Sequence, residues 1–161
     1  MAPKTGNVEL KHGIVKVKHL LFSIIAAAFL TSAISFDKTI EVGSKAPKIE
    51  TKEGTNVGYD ANSTNKTKLI SFWNPKKPAS RITNRKLSRQ YGENSDNIEF
   101  ISICTDPDVA LMKEVVKIDG LNVDEVYSYS EISPRVFKDY NVEDVPKAYM
   151  ISPEGKIVEI F

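Results

Sequence analysis

Apolar and polar positions divide the chain into an uncharged stretch, a polar lead-in and a patterned remainder. Residues 20–36 read LLFSIIAAAFLTSAISF and carry no charged side chain. Residues 37–66 are polar, punctuated by Gly43, Pro47, Gly54 and Gly58, and are expected to form at most short strands. From Lys68 onward, short apolar runs alternate with amphipathic stretches. Lys68-Leu-Ile-Ser-Phe-Trp73 predicts a buried strand. Pro78 suits a first helical turn, where its missing N–H costs nothing, and the helix is expected to run to about Tyr91 and stop at a left-handed Gly92. Ile98–Ile103 is a second strand. Asp106-Pro107 reads as an N-cap and first-turn proline. The helix behind it carries Leu111, Met112, Val115, Val116 and Ile118 at helical spacing and ends at Gly120. Ser133-Pro134 repeats the start signal for a short helix through Val136, Phe137 and Tyr140, with Asn141 as a left-handed stop. Tyr149–Ile151 and Ile157–Ile160 flank Ser152-Pro-Glu-Gly155 as a hairpin. Strand, helix, strand, helix, helix, strand, strand is an α/β order: a parallel sheet covered on both faces, extended by an antiparallel pair.

Charge changes the picture once it is split by position. Of the 22 Lys and Arg, only Lys4, Lys11, Lys16 and Lys18 precede residue 20, and of the 21 Asp and Glu only Glu9 does. Residues 1–19 are therefore a basic leader, and residues 37–161 carry 18 basic against 20 acidic side chains. This near-neutral part offers no bulk electrostatic case for nucleic acid. A basic leader followed by the apolar run 20–36 has the pattern of a signal anchor or a cleaved signal peptide, with its basic end kept in the cytoplasm. The run is 17 residues long, at the short end of the roughly 17–25 that span a bilayer. Thr31-Ser32-Ala33 offers small residues for cleavage; a buried core helix is the alternative reading. The expected location is the cytoplasmic membrane with residues 37–161 on the periplasmic, extracytoplasmic side, or secretion there if the leader is removed. The triplets Asn62-Ser63-Thr64 and Asn65-Lys66-Thr67 would matter only in a eukaryotic secretory pathway.

Four segments in order resemble the membrane-anchored thioredoxin-like family of the TlpA/ResA, or redoxin, kind. They are Val42-Gly43-Ser-Lys-Ala46-Pro47, Leu69-Ile-Ser-Phe72-Trp73, Tyr140-Asn-Val-Glu-Asp-Val145-Pro146, and Tyr149-Met-Ile151 with Gly155-Lys-Ile157. The resemblance covers roughly residues 41–161. It implies a thioredoxin-like fold, a central mixed sheet with helices on both faces, over residues 37–161. It also implies a cis Val145–Pro146 bond facing the redox motif, across a groove that takes an extended substrate. Family members follow the last strand with a further helix, which the sequence up to Phe161 does not contain. The expectation is an open sheet face and an oligomeric or aggregation-prone domain.

The family's Trp-Cys-x-x-Cys motif is not met. Counting from Trp73 and matching Arg81 to the basic residue that often follows puts Lys77 and Ser80 at the cysteine positions, with Pro78 and Ala79 between. Thiol–disulfide exchange needs one thiol that ionises near neutral pH and a second that resolves the mixed disulfide. Neither is present, so no catalytic residue is assigned. The expected groove consists of Trp73, Lys77, Pro78, Ala79, Ser80, Val145 and Pro146. Ser80 as a hydrolytic nucleophile would need a base, and His12 and His19, the only histidines, precede the apolar run. A Lys77–Ser80 dyad is the remaining hydrolytic alternative. Scattered carboxylates without His or paired Cys give no metal set, and no cofactor is implied. Cys104, the single cysteine, reads as a small buried hydrophobe or, alternatively, as a one-cysteine redox group.

Between Asn74 and Gly92 lie Lys76, Lys77, Arg81, Arg85, Lys86 and Arg89, and no acidic residue. Arg81, Arg85 and Arg89 share one helix face. Lys76, Lys77, Arg81 and Arg85 are the candidate anion-binding set, at a helix start whose free N–H groups favour an anion; a solvated charged face is the alternative. The expected function is a non-catalytic binding or scaffolding module with a protein or peptide partner; at this set the ligand would be a carboxylate-bearing peptide or an anionic glycan. The alternatives are residual redox activity through Cys104 and a decayed remnant without a role.

Overall fold

The computed structural model describes residues 40–59, 65–92 and 95–161. The basic leader, the apolar run 20–36 and the Asn62 triplet lie outside the described residues. The order is β1 (Thr67–Trp73), α1 (Pro78–Tyr91), β2 (Ile98–Cys104), α2 (Val109–Asp119), a 3-10 turn (Val123–Glu125), β3 (Val126–Tyr127), α3 (Pro134–Asp139), β4 (Lys147–Ile151) and β5 (Ile157–Ile160). The strands form one sheet in the order β3-β2-β1-β4-β5.

β1 and β2 run parallel, Thr67 opposite Ile98 through Trp73 opposite Cys104, because α1 carries the chain back between them. α2 does the same for β2 and the two-residue β3. β4 lies antiparallel on the other side of β1, and β5 antiparallel on β4. β1 is thus the central strand and is buried on both faces, which is why it reads as a continuous apolar run. Its even positions, Ile70 and Phe72, join Ile101, Ile103, Tyr149 and Ile151 beneath Val136 and Tyr140. Its odd positions face the other way: Leu69 meets Leu87 of α1, and Trp73 meets Met112, Val115 and Val116 of α2.

Under α1 the interface is partly polar. Ser71 and Ser102 lie opposite each other on adjacent strands and are buried. The Ser102 hydroxyl donates to Asn84 Oδ1 at 3.1 Å. The lead-in straps the opposite face: Ile49 is fully buried, Gly43 N–H donates to the Ile157 carbonyl, Ile157 N–H donates to the Ser44 carbonyl, and the Tyr140 hydroxyl donates to the Pro47 carbonyl at 2.8 Å. Gly155 closes the β4–β5 turn at φ +77°, and a Cβ there would collide with the Tyr59 ring.

Four local expectations need correction. Gly92 ends α1 at φ −76°, not in the left-handed region. Glycine is required there because a Cβ would lie 2.6 Å from the Ser88 carbonyl oxygen and 3.0 Å from a Glu125 carboxylate oxygen. The cap of α2 is Asp108, whose carboxylate accepts from the Leu111 N–H at 3.0 Å. Asp106 sits two residues too early, where it accepts from the Asp108 N–H, and Pro107 lies outside the helix. Ile118 is 66% exposed, so the buried stripe of α2 is Met112, Val115 and Val116. β3 has no expected counterpart. Gly120 at φ +65° and Asn141 at φ +48° do take the expected left-handed conformation.

Candidate functional site

The C-terminal ends of β1 and β2, the start of α1 and the turn before β4 meet at one end of the sheet. The chain leaves β1 at Trp73 and turns through Asn74-Pro75-Lys76 into α1. This turn is internally bonded: Asn74 Oδ1 accepts from the Lys76 N–H at 2.8 Å, and the Lys77 N–H donates to the Asn74 carbonyl at 3.2 Å. Lys77 holds the N-cap position with extended backbone, and Pro78 opens the helix. Lys77, Pro78 and Ala79 are exposed, whereas Ser80 is fully buried. Ser80 Oγ accepts from the Asn74 N–H at 2.9 Å.

The Val145–Pro146 bond is cis, as the resemblance implies. Val145 is buried and Pro146 exposed. Asp144, immediately before them, accepts from Lys77 Nζ at 2.6 Å and from the Val145 N–H at 2.9 Å. The ammonium of Lys77 therefore ties the start of α1 to the proline turn. Those two bonds hold the Asp144 carboxyl below the usual range, Lys77 contributing most. Trp73, expected in the groove, is fully buried instead. It packs under α2, and its Nε1 has no partner among the described residues.

The other basic residues of the turn are also paired. Lys76 Nζ lies 3.1 Å from Asp106 Oδ1. Burial pushes the Asp106 carboxyl up, but the Asp108 N–H and Lys76 outweigh it and hold the pKa below the ordinary value. Arg81 engages Asp119 at the end of α2 through Nε at 3.0 Å and through a terminal nitrogen at 2.7 Å. The hydrogen bonds to Asp119 raise the Arg81 pKa further. Lys76, Lys77 and Arg81 are thus each matched by an aspartate from a different part of the chain. Of the four-residue anion-binding set, Arg85 alone forms no ion pair with a described residue. An anion arriving at the turn would have to compete with Asp106, Asp119 and Asp144. These three partners were not legible as site residues in the sequence. The only local signal was Asp144 directly preceding Val145-Pro146.

Nucleophilic chemistry finds little support here. Ser80 Oγ is occupied by a backbone donor and Lys77 Nζ by Asp144, so the Lys77–Ser80 dyad is not assembled. Cys104 is fully buried at the end of β2, with its thiol 3.7 Å from the Asp106 carbonyl. Burial, with a smaller contribution from the Asp106 charge, pushes its pKa up to about 11. Among the described residues, no cluster of His, Cys, Asp or Glu is arranged to hold a metal ion.

This arrangement, a mixed five-stranded sheet flanked by helices on both faces with a cis-proline turn opposite the first helix, is a thioredoxin-like fold. Solved structures bear this out. A thioredoxin-like protein from Parabacteroides distasonis superposes with a TM-score of 0.63 at 24% identity, covering 75% of this chain and 87% of that one. A thiol-disulfide oxidoreductase from Bacteroides fragilis gives 0.55 at 22% identity, over 73% and 89%. A peroxiredoxin-like protein from Aquifex aeolicus gives 0.57 at 18% identity, over 76% and 75%. No protein-family model matches the sequence, and no curated protein does.

Proposed function

We propose that this chain is a thioredoxin-like binding or scaffolding module that does not carry out thiol–disulfide exchange. It is held on the extracytoplasmic side of the cytoplasmic membrane by residues 20–36. The observation that carries the reading is the occupancy of the two positions at the start of α1. Lys77, exposed, is spent on an ion pair with Asp144, and Ser80, buried, is spent on a backbone hydrogen bond. An exchange reaction needs an accessible thiolate at the first position and a second thiol to resolve the intermediate. Cys104 supplies neither, since it is buried and its thiol is held protonated at neutral pH. What the scaffold retains is an accessible surface that runs from Pro146 and Lys77-Pro78-Ala79 along the exposed side of α1, suited to contact with a protein or peptide. The location rests on the basic leader and the uncharged run behind it.

A photo-crosslinker placed at Ala79 in the full-length protein in native membranes tests the binding reading. The same adducts are expected from the wild type and from Cys104→Ser. Loss of the adducts in Cys104→Ser, or their disappearance on reduction, would establish redox coupling instead. Alkaline phosphatase fused after Phe36 is expected to be active, and an inactive fusion would refute the extracytoplasmic placement.

A further inference from the structure

Pairing separates the cations of α1 into two groups. Lys76, Lys77 and Arg81 are matched by Asp106, Asp144 and Asp119. Arg85, Lys86 and Arg89, further along the helix, form no ion pair among the described residues. The buried side of α1 is Ser80, Asn84, Leu87 and Ser88, which places Ile82, Arg85 and Arg89 on the opposite side. Ile82 is 59% exposed. An open, shallow hollow of about 350 Å³ lies along Ile82, Arg85, Lys86, Arg89 and Gln90. A second, of about 190 Å³, shares Ile82 and Arg85 and is walled by Pro78, Arg81 and Asp119. The strip therefore sets an exposed apolar side chain beside unpaired cations, and its one carboxylate, Asp119, is already engaged by two nitrogens of Arg81.

We infer that this outer face of α1 is the partner-docking surface, and that its occupant is an acidic, amphipathic peptide segment of another protein. An apolar side chain of that segment seats over Ile82, and carboxylates further along, about one and two turns away, meet Arg85 and Arg89. One helical turn separates Arg85 from Arg89, so carboxylates four residues apart on a helical partner match them. Arginine favours this role because its planar fork takes a carboxylate through two parallel hydrogen bonds. A solvated charged face would need no exposed isoleucine beside its arginines. A bilayer surface would be met by several protruding apolar groups, whereas Ile82 is the one exposed large apolar side chain of α1. The inference rests on the binding-module reading and names the surface and the partner chemistry for it.

A fluorescein-labelled helical peptide of Leu and Glu, with glutamates four residues apart, is the probe, titrated by anisotropy against the full-length protein. Saturable binding that weakens with salt is expected. Arg85→Glu with Arg89→Glu should weaken it at least about tenfold, since two charge-assisted contacts become repulsions. Ile82→Asp should weaken it comparably. Lys86→Glu with Arg89→Glu, both at exposed positions, provides a second reading if the first pair disturbs folding. Lys138→Glu, on α3, should leave the affinity unchanged. No saturable binding, or equal loss with Lys138→Glu, would overturn the inference. Loss with Lys77→Gln but not with the arginine pair would overturn it while leaving the binding-module reading intact, with the partner at the start of α1. Stronger binding to phosphatidylserine–phosphatidylcholine vesicles than to the peptide would also overturn it, in favour of a membrane surface.

Discussion

Ser80 and Lys77 stand at the start of α1 without sulfur, and each is committed to another partner. Ser80 is similar in size to the residue the resemblance calls for. It occupies a fully buried point where the Asn74 N–H needs an acceptor. Ser80→Ala should therefore destabilise the protein by about 1–3 kcal/mol in chemical denaturation, because a buried donor is left unmatched. Lys77→Gln should cost far less, since the ion pair it removes is exposed on both sides. Cys104 makes the opposite point: it is the one thiol present, and its surroundings suppress it. In native buffer at pH 8 it should resist Ellman's reagent and then titrate as one thiol per chain on unfolding. Full, rapid reaction of the native protein would contradict the buried placement. The sequence revealed Lys77, Ser80 and Cys104 because their identities depart from, or stand alone in, the pattern. It could not reveal Asp106, Asp119 and Asp144. Each is an ordinary surface-type residue until the fold brings it to a particular cation.

At the scale of elements, the sequence was legible wherever burial was two-sided or periodic. β1, β2 and the β4–β5 hairpin carry apolar runs or turn residues that local rules detect, and α1 carries proline at its start. β3 was missed because two residues, Val126 and Tyr127, are too short to show alternation; only parallel pairing with Ser102 and Ile103 makes them a strand. The α2 cap was misplaced by two residues because Asp106 and Asp108 both stand beside Pro107. Asp106 is diverted to Lys76, which leaves the helix to Asp108. Asp108→Ala should accordingly cost about 0.5–2 kcal/mol through loss of the cap, read from thermal or urea unfolding. A negligible effect would contradict the assignment. Gly92 was recognised as a stop for the wrong reason. Steric closeness to Ser88 and Glu125, not a left-handed backbone, excludes a side chain there.

At the scale of the whole molecule, the mixed sheet with helices on both faces and the cis-proline turn followed from four short segments in the right order, none decisive alone. Buried hydroxyl and thiol acids give the fold a pH signature. Burial raises Cys104 from 9.0 to about 11 and Tyr149 from 10.0 to about 12, and it raises Tyr140 as well. The native state therefore holds protons that the unfolded chain has already released. Stability should be level up to about pH 9 and fall as pH rises through 12, in a series of melting temperatures. A melting temperature that rose over that range would contradict the burial of these groups.

The central proposal is that this chain does not run a two-centre electron relay, and DTT-driven reduction of insulin by the full-length protein carrying Cys104→Ser measures it directly. The precipitation rate should equal that of DTT alone, while a Lys77→Cys, Ser80→Cys variant of the same protein should form a disulfide between the two positions. Acceleration by the Cys104→Ser protein comparable to that of a working thiol oxidoreductase would contradict the account.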